Sequence, residues 1–296
     1  MKKILKLVTE DFKLYRKRNR FKIKLPEENK IVEVSANDVY AIIAFTEGFI
    51  SSSSLELAAR HNIPIIFVSI EDNQVSFTEN LLEPKYSSIM NMELVKNLAL
   101  TGNILLNSII CSYINNLNLV LKKLFPHAPH MPSFSKPFDD KIIHKIDQKY
   151  AEALSFILKV QQENVEKLIF TARKIFSLEI LAFLLREGIS PLIPISSYDK
   201  FFKFPLLSTL SLEFFPTFSD YPLMKFEILR SSDLKAIVQI LHKSLSYEIQ
   251  THGRKTLTIR ELVFSRVHGM ITALRNPLIK YKPIEEEVLQ KFLESL

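Results

Sequence analysis

NDVYAIIAFTEGFISSSSLELAARHNIPIIFVS, residues 37–69, decides the fold. It begins and ends on short β-branched and aromatic runs, VYAIIAF (39–45) and IPIIFVS (63–69), set off by polar turns as buried strands are. Between them SSSSLELAARH (51–61) has helical character. Working outward, FKIKL (21–25) and KIVEV (30–34) repeat the strand pattern, so the chain up to about Phe77 reads as a small strand-rich domain with one inserted helix. Lys13, Arg16, Lys17, Arg18 and Arg20 form a dense basic run that reads as a solvated hairpin or turn.

Beyond Met92 the period changes. Leu94, Leu98, Leu105, Ile109, Leu117 and Leu121 recur at three- and four-residue steps or their sums, predicting a long helix that opens a second domain. FPHAPHMPSFSKPF (125–138) carries Pro126, Pro129, Pro132 and Pro137, each lacking an amide donor and restricting its predecessor, and reads as an exposed loop. Helical spacing returns from about Lys141 to Glu187 and stops at Gly188 and Pro191. Thr258 and Glu261 form a capping-box signature before LVFSRVHGMITAL (262–274), which predicts a late helix. The expected fold class is α+β, with a β-rich domain over residues 1–85 and a larger all-helical domain over 86–296.

Composition narrows the chemistry. Five glycines against 22 phenylalanines leave no Gly-rich phosphate loop, which disfavours nucleotide-dependent reactions. Cys111 is the lone cysteine, so neither a disulfide framework nor a thiolate zinc cluster forms within one chain, and a reducing, cytoplasmic location is expected. MKKILKLVTEDFKLYRKRNR (1–20) is too interrupted by charge for a signal peptide or membrane span, and no other window reads as long and apolar enough to cross a bilayer. A formal charge of +7 favours a polyanionic partner, because phosphate neutralisation releases condensed counterions.

Three stretches, in order, resemble the CRISPR-associated adaptation (spacer-acquisition) integrase and endonuclease family. Residues 37–69 are similar to its strand, serine-rich helix start, short helix and strand. REGISPLIPISSYDKFFKFPLLSTLSLEFFP (186–216) is similar to its GLDP turn, catalytic histidine and leucine-rich helix, with Gly188, Pro191, Asp199, Leu206, Leu210, Glu213, Phe214 and Pro216 in pattern. KTLTIRELVFSRVHGMITALRNPLIKYKPI (255–284) resembles its last basic helix and closing Y-x-P-[FI] segment. The resemblance implies a β-rich N-terminal dimerisation domain, a helical catalytic domain, and Mg- or Mn-dependent cutting and joining of DNA.

The metal site the resemblance implies, two acids and a histidine, looks lost. The histidine position falls on Ser197 and the acid of the leucine-rich helix on Leu212, with Glu213 one residue later as a possible surviving acid. The first acid falls on Gln148 in IDQKYAEALSF, where Asp147 and Glu152 stand nearby. A hydroxyl and an aliphatic side chain cannot replace imidazole and carboxylate around a hard cation.

The expected function is therefore a DNA-binding adaptation protein, noncatalytic, with no cofactor, no membrane association, and a structural or partner role in a homodimer or a heterodimer with an active integrase subunit, alongside other CRISPR adaptation proteins. Arg254, Lys255, Arg260, Arg266, Arg275, Lys280 and Lys282, in and around the last basic helix, are the expected DNA contacts, with a solvated face as the plain alternative. Two other readings stand beside it. One is an active divergent enzyme using Asp147 or Glu152 with Glu213 and Mg or Mn. The other is a structural interaction protein without a nucleic-acid role. His127, His130, His242, His252 and His268 read as local hydrogen-bonding or solvated side chains, and Phe201, Phe202, Phe214, Phe215 and Phe218 as core.

Overall fold

In the computed structural model the description covers residues 2–26, 30–78, 88–127, 130–131, 140–195, 201–225, 233–250 and 256–296. The chain separates into two units, Met1–Ser88 with Leu181–Pro191, and Ile89–Ile180 with Leu192–Leu296.

The first unit is built on two four-stranded sheets. One has the order β1 (Lys3–Leu7), β5 (Val39–Ala44), β7 (Ile65–Ser69), β8 (Gln74–Phe77), with β1, β5 and β7 parallel and β8 antiparallel. β5 is almost wholly buried, which explains why its sequence is a continuous apolar run and not an alternating one. The other sheet is a meander of β4 (Lys30–Ser35), β3 (Arg20–Leu25) and β2 (Phe12–Lys17), to which β6 (Gly48–Ile50) adds in parallel. Here Phe12, Leu14, Phe21 and Ile23 alternate inward and share one apolar core with Leu7, Val39, Ile42, Ile65 and the helix residues Leu57 and Ala58.

That helix, α1 (Ser52–Arg60), owes its start to the serine run. Ser51 Oγ accepts from Ser54 N at 3.3 Å, and buried Ser54 Oγ donates to Leu14 O at 3.2 Å, tying the first turn to β2. Gly48 is required beside it, because a Cβ there would lie 2.5 Å from ring carbons of buried Phe12.

The second unit holds most of α2 (Ser88–Leu124), α3 (Asp140–Leu158), most of α4 (Gln162–Arg186), α5 (Pro205–Ser211), α6 (Tyr221–Lys225), α7 (Leu234–Leu245), α8 (Ile259–Arg275) and α9 (Glu286–Ser295). Leu94, Leu105, Ile109, Leu117 and Leu121 of α2 are buried, and α4 ends where expected, at a left-handed Gly188 with φ 69°. The capping box is present: Thr258 Oγ1 accepts from Glu261 N, and Glu261 Oε2 accepts from Thr258 N.

Two expectations need amendment. The second unit is not all helical, because β9 (Glu248–Gln250) and β10 (Thr256–Thr258) pair as an antiparallel ribbon ahead of α8. Nor is the chain without a long apolar window. Met92–Leu124 meets the length and composition of a membrane span, but 56% of its most apolar window is buried inside the protein, as in the core helix of a bundle. Most of the proline-rich stretch 125–138 lies outside the described residues.

Between α5 and α6 the helix changes gauge, through a 3-10 turn at Leu212–Phe214 and a π-helical turn at Phe215–Asp220. Pro216 lacks the amide that would continue an α-helix and its ring displaces the preceding turn, so the coil widens there. The whole of Leu206–Met224 is buried.

Candidate functional site

Strand alternation gives the β2–β3–β4 meander an outer face of Lys13, Tyr15 and Lys17, then Arg20, Lys22 and Lys24, then Ile31 and Glu33. The register places Lys13 opposite Lys24 and Lys17 opposite Arg20. Like charges facing across a ladder are destabilising, and among the described residues Glu33 is the one acid of this face, hydrogen-bonded to Lys17 at 2.8 Å and 3.9 Å from Arg20. The Lys17 hydrogen bond leads the lowering of the Glu33 carboxyl below its usual range, with Lys17, Lys22 and Arg20 adding their fields. Tyr15 and Phe49 of β6 are exposed beside the cations, with ring centroids 5.8 Å apart. Arg16 is on the opposite face and is bound to Glu56 of α1 at 3.0 Å. The basic run is thus a hairpin, turning through Arg18 at φ 57°. Its charges form one side of a sheet.

Among the described residues the carboxy-terminal basic series does not form a comparable face. Arg254 and Lys255 lie outside the described residues. Arg260 is corrected from a DNA contact to an interior residue: it is buried, its Nε donating to Glu179 Oε2 at 2.8 Å and its Nη2 to Oε1 at 3.4 Å. The helix face that carries Arg260 also carries Val263, Val267 and Met270, all buried, so the side chain is directed into the unit with them. Arg266 donates to Lys282 O at 3.2 Å, Arg275 is half-buried, and Lys280 and Lys282 are exposed.

Of the positions the resemblance assigns to metal, Ser197 lies outside the described residues, Gln148 is exposed on α3, and Leu212 is fully buried aliphatic surface. Glu213 is also fully buried. Its Oε1 accepts from Ile284 N at 2.9 Å, its Oε2 accepts from Tyr281 O–H, and its backbone carbonyl accepts from Asn116 at 2.7 Å. Burial pushes its carboxyl above the ordinary range, against the pull of Tyr281, Ile284, Ser112 and Arg266. Glu213 therefore fastens the Tyr281–Ile284 segment to the core. Glu152 is exposed on α3.

Asp147 belongs to a constellation that sequence reading missed. Arg173 of α4 donates from Nη1 to Asp147 Oδ1 at 2.7 Å, from Nη2 to Asp220 Oδ2 at 2.6 Å, and from Nε to both Asp220 oxygens at 3.1 Å. Tyr113 O–H donates to the same Asp147 oxygen. The guanidinium carbon lies 5.6, 5.9 and 5.2 Å from the rings of Tyr113, Tyr150 and Phe215. Burial works against the arginine's charge, but Asp220, Tyr113 and Asp147 outweigh it and hold the proton more firmly than usual. Burial raises the Asp220 carboxyl despite Arg173. The available signal was a charge at Arg173 inside the largely apolar LIFTARKIFSLEIL (168–181) and another at Asp220 inside FSDYPLM (218–224).

The residues do not fit the metal the resemblance implies. Asp147 is engaged by a guanidinium and a phenol, Glu213 by Tyr281 and Ile284, and among the described residues no group of three His, Cys, Asp or Glu side chains gathers around one point. Phe201, Phe202, Phe214, Phe215 and Phe218 are buried, and ring contacts such as Phe201–Phe215 at 5.0 Å and Phe218–Phe292 at 5.0 Å put them in the core, as read. His127, His130, His242 and His268 are exposed, and His252 lies outside the described residues.

Comparison with known proteins agrees with this architecture. Residues 5–124 match the family described as CRISPR associated protein Cas1. A search of curated proteins finds no match. Among solved structures, a CAS1 protein from Thermotoga maritima superposes with a TM-score of 0.69 at 15% identity, over 96% of this chain and 100% of that one. A casposase bound to integration product gives 0.69 at 12%, over 100% and 99%. A chain of a Cas6-RT-Cas1–Cas2 complex gives 0.59 at 8%, over 96% of this chain and 36% of that chain. At these identities the structural likenesses show the fold alone: residues 5–124 match the Cas1 family model, and over nearly its full length the chain carries the fold seen in that CAS1 protein and that casposase.

Proposed function

We propose that this protein is a DNA-binding CRISPR adaptation protein that does not cut or join DNA and acts as a structural or partner subunit, as a homodimer or beside an active integrase. The observation that carries the DNA-binding part is the cross-strand pairing of Lys13 with Lys24 and Lys17 with Arg20 on an exposed sheet face that holds a single acid among the described residues. A polyanion laid there relieves repulsion and releases counterions at once. Arg266, Lys280 and Lys282, with Arg254 and Lys255, are a second region for phosphate contact. The relatives' complexes with an integration product and with Cas2 support DNA and other adaptation proteins as partners. The strand-rich unit would serve as the dimerisation module, in a reducing cytoplasm, with no metal cofactor.

The noncatalytic part rests on the acids. Metal-assisted phosphodiester chemistry needs carboxylate oxygens available to a hard cation, and both Asp147 and Glu213 are committed to protein donors. The test uses the purified full chain with branched and nicked DNA. Binding that weakens with log salt, without chelator-sensitive cleavage or joining in Mn2+, is the expected result. Chelator-sensitive products abolished by Asp147→Asn overturn the noncatalytic part, and no binding at low salt overturns the DNA-binding part in favour of a structural interaction protein.

A further inference from the structure

Where α8 ends, RNPLIKYK (275–282) turns an apolar knuckle outward. Asn276 caps the helix in extended backbone, its amide donating to Thr272 O at 3.0 Å, and Pro277 cannot continue the coil. Ile279 N then donates to Asn276 O at 3.0 Å and Leu278 N to Asn276 Oδ1 at 3.0 Å, closing a β-turn whose first central angle proline pre-sets. Leu278 at the tip is 90% exposed, the most exposed large hydrophobic side chain among the described residues, and Ile279 beside it is 43% exposed. Both ends of the turn are fastened. Asn97 and Thr101 of α2 donate to the carbonyls of Arg275 and Leu274, and Glu213 accepts from Tyr281 and Ile284. A stiff turn held from both sides thus carries two aliphatic side chains into solvent. The border of the tip is cationic. Residues 275–282 hold three cations and no acid, Lys280 and Lys282 are exposed, and Arg266 joins them through its bond to Lys282 O at 3.2 Å. Acids follow only after the buried Ile284 anchor.

We propose that Leu278, with Ile279 at its side, is a wedge that enters an opened base step of DNA at a nick, branch or duplex end, while Lys280, Lys282 and Arg266 hold the flanking phosphates. The proposal deepens the DNA-binding reading and rests on it, naming as substrate a duplex whose stacking is already interrupted. An apolar protein surface would gain nothing from the cationic border. DNA matches both parts, with phosphates for the cations and base faces for the aliphatic tip. Inserting a side chain costs the stacking of one step, and that cost is least where a strand is broken or diverted. The pre-formed turn adds little ordering cost of its own.

The experiment uses the full-length chain with a continuous duplex and with a nicked, branched DNA carrying 2-aminopurine at the junction, a base whose fluorescence rises when it unstacks. Wild type is expected to raise that signal and to prefer the branched DNA. Leu278→Ser, altered at a solvated side chain, should lose both the rise and the preference, weakening branched-DNA binding about tenfold with the salt slope unchanged. Leu278→Phe should keep both. Lys280→Gln and Lys282→Gln should each lower the slope by about 0.9 on either DNA. Leu278→Ser that unstacks and discriminates as wild type does overturns the wedge, as does a wild type that binds both DNAs alike without a rise in signal. Leu278→Ser that abolishes self-association and leaves DNA binding untouched assigns the tip to a protein contact, and overturns the wedge too. A wild type that binds neither DNA at low salt sinks the DNA-binding reading and the wedge with it, whereas salt-dependent binding without any junction effect sinks the wedge alone.

Discussion

Replacing Arg260 with methionine separates a structural arginine from a DNA-contacting one. Methionine keeps most of the aliphatic length but removes the guanidinium that donates to both oxygens of Glu179, whose side chain is 1% exposed. Truncating one partner of a buried, hydrogen-bonded ion pair costs about 3–5 kcal/mol, because the remaining charge keeps its desolvation penalty. For a unit of this size each kcal/mol moves the midpoint by about 2–4 °C, so the second unit should melt roughly 6–20 °C lower. The double variant Glu179→Leu/Arg260→Met removes both charges and should recover most of that loss. Thermal and urea unfolding of the three variants, with DNA affinity measured by fluorescence anisotropy at fixed salt on those that fold, completes the cycle. An Arg260→Met protein as stable as wild type but impaired in DNA binding would refute the reasoning.

On the outer sheet face, each of Lys13→Gln, Lys22→Gln and Lys24→Gln should lower the log–log salt slope of duplex binding by about 0.9 without changing sequence preference; unchanged slopes would remove the face from the interface. Glu213→Gln should change how stability depends on pH. The buried acid holds its proton to higher pH in the folded protein than in the unfolded chain, so wild-type stability falls as pH rises from the ordinary glutamate range near about 4.3 up to its raised folded value. The amide variant should lack that decline in urea unfolding followed across pH, and an identical decline would show that Glu213 is not its source. Gly48→Ala drives a Cβ into the Phe12 ring and should destabilise the first unit by about 1–3 kcal/mol, with Gly48→Ala/Phe12→Leu partly restoring it in the same unfolding assay.

The elements that sequence disclosed best were those whose burial is simple. The apolar runs at 39–45 and 63–69 became adjacent parallel strands, and the Thr258–Glu261 signature became a capping box, because period and capping act over a few residues. Lys13–Lys17 was harder, since two buried residues, Phe12 and Leu14, are enough to make a strand whose other side is Lys13, Tyr15 and Lys17. Arg260 misled because a cation in a basic helix looks solvated until a partner such as Glu179, far away in the chain, is seen opposite it. The Asp147–Arg173–Asp220 cluster was illegible for the same reason: Asp147 stood beside the position aligned to the first acid, but nothing local says that α4 delivers a guanidinium to it. Glu213 was read as a possible surviving acid of the metal site, while its role as the tether for Tyr281 and Ile284 depended on a segment that folds back from the end of the chain.

The ladder in which Lys13 confronts Lys24 means that dissolved electrolyte pulls the first unit in two directions. Mobile ions shorten the reach of repulsion to about 3 Å at 1 M, so a brine that strips nucleic acid from this face should at the same time toughen the sheet beneath it. Occupancy and rigidity would then alternate as sources of the same relief, and the protein would be at its softest when dilute, bare and unbound.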